Sequence, residues 1–179
     1  MKEIALPQTA LTKTLAETTL GLRRPPSMPD MVLIFTLSGE AFAISVSAVH
    51  EILDPIPATR VPNASAFAPG LINVRGTIAP LVDVRQRLRM PPAASSADAR
   101  VIVLELPVGG APTRLAILAD GVEEVIEADL AALEAVPELG ARWPEQFVKG
   151  VAHRGDGLVI LLDTETLFRP DGSTGADPA

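Results

Sequence analysis

Cysteine is absent from the 179 residues. That removes disulfides, thiolate metal sites and cysteine nucleophiles together, and it fits a reducing compartment. Tyrosine is absent too, leaving five Phe and one Trp as the aromatics. Positive charge is scarce: 15 Lys and Arg face 22 Asp and Glu, for a net charge of −7. Such a chain has neither the field that displaces phosphate counterions nor the stacking platforms that single strands need. Nucleic acid is excluded as an expected partner, and proteins are favoured. No apolar run approaches the ~20 residues of a membrane-crossing helix; stretches such as Leu158–Leu162 are strand-sized, so no membrane insertion is expected. The N-terminus has no basic start followed by an apolar core and a small-residue cleavage site, which makes the cytoplasm the expected location.

What is present is apolar and strand-like. Hydrophobic residues make up 47% of the chain, ample for a core. Residues 1–30 stand apart. Leu11 and Leu15 could share a helical face, but four threonines between positions 12 and 19 weaken it, and Arg23-Arg24-Pro25-Pro26-Ser27-Met28-Pro29 ends any regular structure. A disordered tail or a short docking helix is expected there. From Met31 come Val- and Ile-rich runs of strand length: Met31–Leu37, a Ser38-Gly39-Glu40 turn, Ala41–Val46, then Val49-His50-Glu51-Ile52-Leu53. A proline-rich stretch to Pro69 reads as a loop. Gly70–Val74 and Thr77–Val84 flank Arg75-Gly76, and Pro91–Ala99 has the composition of a linker.

The second half repeats the first. Val101–Leu106, a turn at Pro107–Pro112 containing Gly109-Gly110, and Arg114–Leu118 follow in the same order, and Val122-Glu123-Glu124-Val125 echoes Val49-His50-Glu51-Ile52. A possible helical turn at Asp129–Leu133 lies in the longer loop that follows. An ungapped shift of 80 residues then places Phe67 on Phe147, Gly70 on Gly150, Leu81 on Leu161 and Asp83 on Asp163. The period is too long for a solenoid unit. A duplicated subdomain of about five strands fits it, and five short strands hide their edges only by curling shut. The expected fold is mainly β: two five-stranded barrels with short helices, near 31–90 and 100–168, with exchange of strands between them left open, and a C-terminal tail at 169–179.

Gly76 suits a hairpin reversal, and Gly70 a place where a side chain would be awkward. Pro80 predicts an edge or a bulge in its strand. Arg75, isolated among apolar strands at a tight turn, has the planar fork that recurs in interface hot spots and is read as a partner contact. Glu51 would face solvent on its alternating strand and could meet a basic partner. Asp83 and Asp163 precede short helical stretches and are read as caps for orphan N–H groups.

No catalytic constellation emerges. His50 and His153 have no second ligand at metal spacing. Ser45 and Ser47 lack a nucleophile-elbow context, and Gly109-Gly110 lacks a phosphate-loop lysine. Glu123 and Glu124, adjacent on a strand, should point to opposite faces and cannot act together. No cofactor and no metal are expected.

On Gly70-Leu71-Ile72-Asn73-Val74-Arg75-Gly76-Thr77-Ile78-Ala79-Pro80-Leu81-Val82-Asp83, together with Val49-His50-Glu51-Ile52 and Asp120-Gly121-Val122-Glu123-Glu124-Val125, the chain resembles the CheW family of chemotaxis coupling proteins from about Met31 to Phe168. The resemblance implies SH3-like barrels and a non-enzymatic scaffold. Its implied partners are chemoreceptor cytoplasmic tips and the regulatory domain of the histidine kinase CheA, met barrel to barrel. It also implies Val49, Glu51, Gly70 and Arg75 as partner-binding positions. The rivals are a similar adaptor in another signalling or motility pathway, and a small-molecule binder using the groove between barrels, which would need convergent polar groups with perturbed pKa values.

Overall fold

The computed structural model describes residues 30–94, 96–108, 110–136 and 142–169. The expectations for residues 1–29, for 170–179 and for Gly109 lie outside them. The first half contains β1 (Asp30–Leu37), β2 (Glu40–Ser45), β3 (Val49–Leu53), β4 (Thr59–Arg60), β5 (Gly70–Val74), β6 (Thr77–Val82) and a short helix, α1 (Val84–Leu88). The second contains β7 (Arg100–Val108), β8 (Ala111–Ala119), β9 (Gly121–Ala128), β10 (Val148–Arg154), β11 (Gly157–Leu162) and α2 (Thr164–Leu167). The fold is mainly β, in two subdomains of the SH3-like barrel type.

The strands order as β10-β11-β2-β1-β9 in one sheet and β3-β7-β8-β6-β5-β4 in the other. Each subdomain therefore takes its leading hairpin from one half of the chain and its remaining strands from the other. β2 joins β11 in parallel, and β8 joins β6 in parallel.

This exchange explains the near-continuous apolar runs, because the central strands are buried on both faces. On β1, Leu33, Phe35 and Leu37 enter a core shared by both sheets, while Val32 and Ile34 enter the core of their own sheet. On β7, Ile102, Leu104 and Leu106 enter the shared core, and Val101 and Val103 fill the other sheet's interior. β11 divides likewise, Ile160 and Leu162 against Val159 and Leu161. The period of two is present, but it sorts residues between two cores instead of between core and water.

The duplication extends to single hydrogen bonds. Asp83 N–H donates to the Phe67 carbonyl and Asp163 N–H to the Phe147 carbonyl, each at 2.8 Å. Both aspartates cap the helix that follows: Asp83 accepts from Arg85 N–H at 3.1 Å, and Asp163 from Thr166 N–H at 3.0 Å. Gly70 pairs with Leu81 as Gly150 pairs with Leu161. A Cβ at Gly70 would stand 3.0 Å from the Thr59 carbonyl oxygen, and one at Gly150 would stand 2.8 Å from Leu133 Cβ. Gly150→Ala is therefore expected to cost about 2 kcal/mol through overpacking, read as a lower urea midpoint with unchanged slope. A neutral result would show that the 129–136 loop yields freely.

Two local expectations are corrected. The strand carrying Pro80 is not an edge, since β6 lies between β5 and β8. Proline is accommodated because the pairing to β8 begins only at Leu81, whereas β11 already pairs with β2 at Val159; the missing N–H shortens a ladder. The proline-rich loop also contains β4, a two-residue strand that pairs Thr59 with Leu71 and Arg60 with Gly70.

Candidate docking site at the barrel seams

β3 closes one end of its sheet, and the β5–β6 turn stands near the other end, with three strands between β3 and β5. Glu51 on β3 and Arg75 in that turn nevertheless meet: Arg75 Nε donates to Glu51 Oε2 at 2.8 Å. The sheet has curled until β3 and the β5–β6 turn meet, and this ion pair bridges them. Arg75 lies at φ 50° and Gly76 at φ 87°, the left-handed pair of a tight hairpin turn that suits the twist of its strands. Asn73 Oδ1 accepts the Gly76 N–H at 2.7 Å and fixes the turn.

The electrostatics are asymmetric. The Glu51 side chain is only 19% exposed, that of Arg75 76%. The hydrogen bond to Glu51, and then the charge of Glu51, push the Arg75 guanidinium further above its ordinary range. The Arg75 terminal nitrogens have no hydrogen bond among the described residues. One edge of the fork is used internally and the other faces solvent.

The second barrel carries the counterpart. Arg154, at the end of β10, donates through its two terminal nitrogens to Glu123 and Glu124 on β9, here joining the two end strands of its sheet across three others. The hydrogen bond to Glu123 pushes this guanidinium up as well. Both carboxylates converge on one arginine, which corrects the expectation that they point apart. The reason is a bulge: Ile34 pairs with Glu124 and Phe35 with Val122, so Glu123 is the extra residue and the strict alternation breaks. β3 has the same irregularity between Val49 and Glu51, at His50. It turns Glu51 inward and leaves Ile52 40% exposed, reversing the faces that polarity alone suggests.

Of the four residues singled out from the sequence, Glu51 and Arg75 are brought together. Val49 sits two residues before Glu51, half-buried against the shared core. Gly70 does not join them: it is buried at the far end of β5, against Thr59. Sequence reasoning missed Arg154, whose signal was an arginine one residue before the glycine that takes the place of Arg75. It also missed Trp143, which donates to Glu40 at 3.2 Å and meets Phe42 edge-on at 5.9 Å. His50 stands 4.0 Å from Glu51, and His153 3.6 Å from Glu134. Among the described residues no group of three or more His, Cys, Asp or Glu could hold a metal ion, and no helix is long and apolar enough to cross a membrane.

A family model described as a CheW-like domain matches residues 31–171. The chain belongs to the CheW family. Among curated CheW relatives, a probable chemotaxis protein CheW from Rhizobium etli is 27% identical over 81% of this chain and 91% of its own length. The chemotaxis protein CheW of Klebsiella aerogenes is 30% identical over 76% and 80%. The crystal structure of the scaffolding protein TtCheW from Thermoanaerobacter tengcongensis superposes with a TM-score of 0.71 at 29% identity, covering 84% of this chain and 94% of that one. CheW proteins are chemotaxis scaffolds, and this chain carries the CheW architecture through both barrels.

Proposed function

We propose that this chain is a non-catalytic cytoplasmic adaptor, recruited to membrane-associated receptor arrays, that couples chemoreceptor cytoplasmic tips to the regulatory domain of the kinase CheA. Family membership supports the partners. The observation that carries the docking site is the half-used Arg75 fork, held by Glu51 and open outward. Arg75, Glu51 and Val49 supply contact, and Gly70 supports the surface from beneath. Exposed Ile52, Leu71 and Ile78 on the same subdomain suit a neighbouring barrel. The work of such an adaptor is a coupling free energy of about 1–3 kcal/mol between receptor and kinase, and repeated contacts in an array make weak single contacts sufficient.

Arg75→Glu is expected to keep the circular dichroism spectrum and a melting point within a few degrees of wild type, while weakening capture of receptor-tip and CheA regulatory fragments roughly tenfold or more. The exchange Glu51→Arg with Arg75→Glu restores opposite charges across the seam. Under this reading it does not restore capture, because the outward charge stays reversed. Full recovery of binding by the exchange would reduce Arg75 to a seam fastener, and wild-type protein that captures neither fragment would remove the coupling function.

A further inference from the structure

The pairing registers match strand positions of one half to strand positions of the other. Val49 pairs with Leu104 as Val122 pairs with Phe35, Glu51 with Val103 as Glu124 with Ile34, and Leu81 with Ala116 as Leu161 with Ala43. By this correspondence Arg85, Asp120 and Ser38 have Glu165, Ser47 and Pro107 as counterparts. The first three come together as a filled site. Arg85 is buried, its Nη2 donating to Asp120 Oδ1 at 2.5 Å and its Nε to Ser38 Oγ at 3.5 Å, while Asp120 Oδ2 accepts the Ser38 N–H at 2.6 Å.

The place related to it by the duplication is open. Ser47, Pro107 and Glu165 line a cavity of about 270 Å³. Two of its lining residues are smaller than those in the filled place: Ser47 stands for Asp120, and Ser45 for Leu118. The lining is also more polar, with Thr164 in the place of Val84. Thr164 is 7% exposed and lines the cavity. Acidic groups prevail around it: Asp30, Glu105 and Glu165 against Lys149, with Glu105 shared with Arg114 at 2.9 Å.

We propose that this cavity is a receptor for an arginine side chain of a protein partner, which would occupy the place that Arg85 fills from within in the related site. The planar fork fits carboxylate and hydroxyl acceptors at once, as a compact ammonium does not. The site shares no residue with the Arg75 seam and does not depend on the partners assigned there.

The test is a titration of the ¹⁵N-labelled full chain with N-acetyl-arginine methylamide, followed by NMR, with the citrulline analogue as the uncharged isostere. Saturable shifts at the amides of Ser47, Thr164 and Glu165 are expected, with citrulline roughly tenfold weaker. Thr164→Val, which installs the residue of the filled site, should weaken binding several-fold without disturbing the fold. Ser47→Asp with Glu165→Arg should fill the cavity from within and abolish the shifts. No saturable shift at these amides, an equal response to citrulline, or undiminished binding by either variant would overturn the assignment.

Discussion

Asp120→Ala is expected to lower the unfolding free energy by about 3 kcal/mol, measured by urea denaturation. The carboxylate holds two things at once: the Arg85 guanidinium, whose side chain is 9% exposed, and the Ser38 N–H that starts the β1–β2 turn. Its removal leaves a buried cation whose nearest remaining carboxylate is Asp83, at 3.8 Å. Desolvation of an uncompensated charge outweighs the modest attraction an ion pair contributes when intact. The control is Arg85→Met combined with Asp120→Leu, which removes both charges and should recover more than half of the loss. A deficit under about 1 kcal/mol for the single variant would mean that water reaches the pair and screens it.

Phe42→Ala should cost more, about 4 kcal/mol. Phe42 is fully buried, with its ring centroid 6.2 Å from that of Phe35 and 5.9 Å from that of Trp143. It belongs to the core that both sheets share, together with Leu104, Ile117 and Ile160. A cavity there loosens both subdomains, so circular dichroism and Trp143 fluorescence should report one coincident transition at a lower midpoint. Two separated transitions would show that the subdomains unfold independently. Phe42→Leu retains most of the volume and should lose about 1.5 kcal/mol.

Much of this is legible in the amino-acid sequence. The repeat was visible because the positions that carry it are governed by backbone demands: Gly70 and Gly150 need the absence of a Cβ, and Asp83 and Asp163 need a short acceptor before a helix. Arg75 was visible because a charge in an apolar hairpin has little other reason to be there. What the sequence hid was long-range. Hydrophobic alternation says that a strand has two faces but not how many cores receive them, so the exchange of hairpins was only an open question. A bulge leaves no local mark, which concealed the inward turn of Glu51 and the convergence of Glu123 and Glu124 on Arg154. Arg85 and Asp120 lie 35 positions apart, and nothing in their neighbours announces that they meet.

The parallel contact between β2 and β11 has a further consequence. On the ribosome, the leading hairpin emerges before any other strand of the sheet it must complete, and its neighbour β11 is the last of those strands to be made. Closing so long a loop before any contact rewards it slows folding. Until then the nascent Val32–Ile34 and Phe42–Ile44 edges stay uncovered, and unpaired apolar edges are what chaperones bind and aggregates recruit.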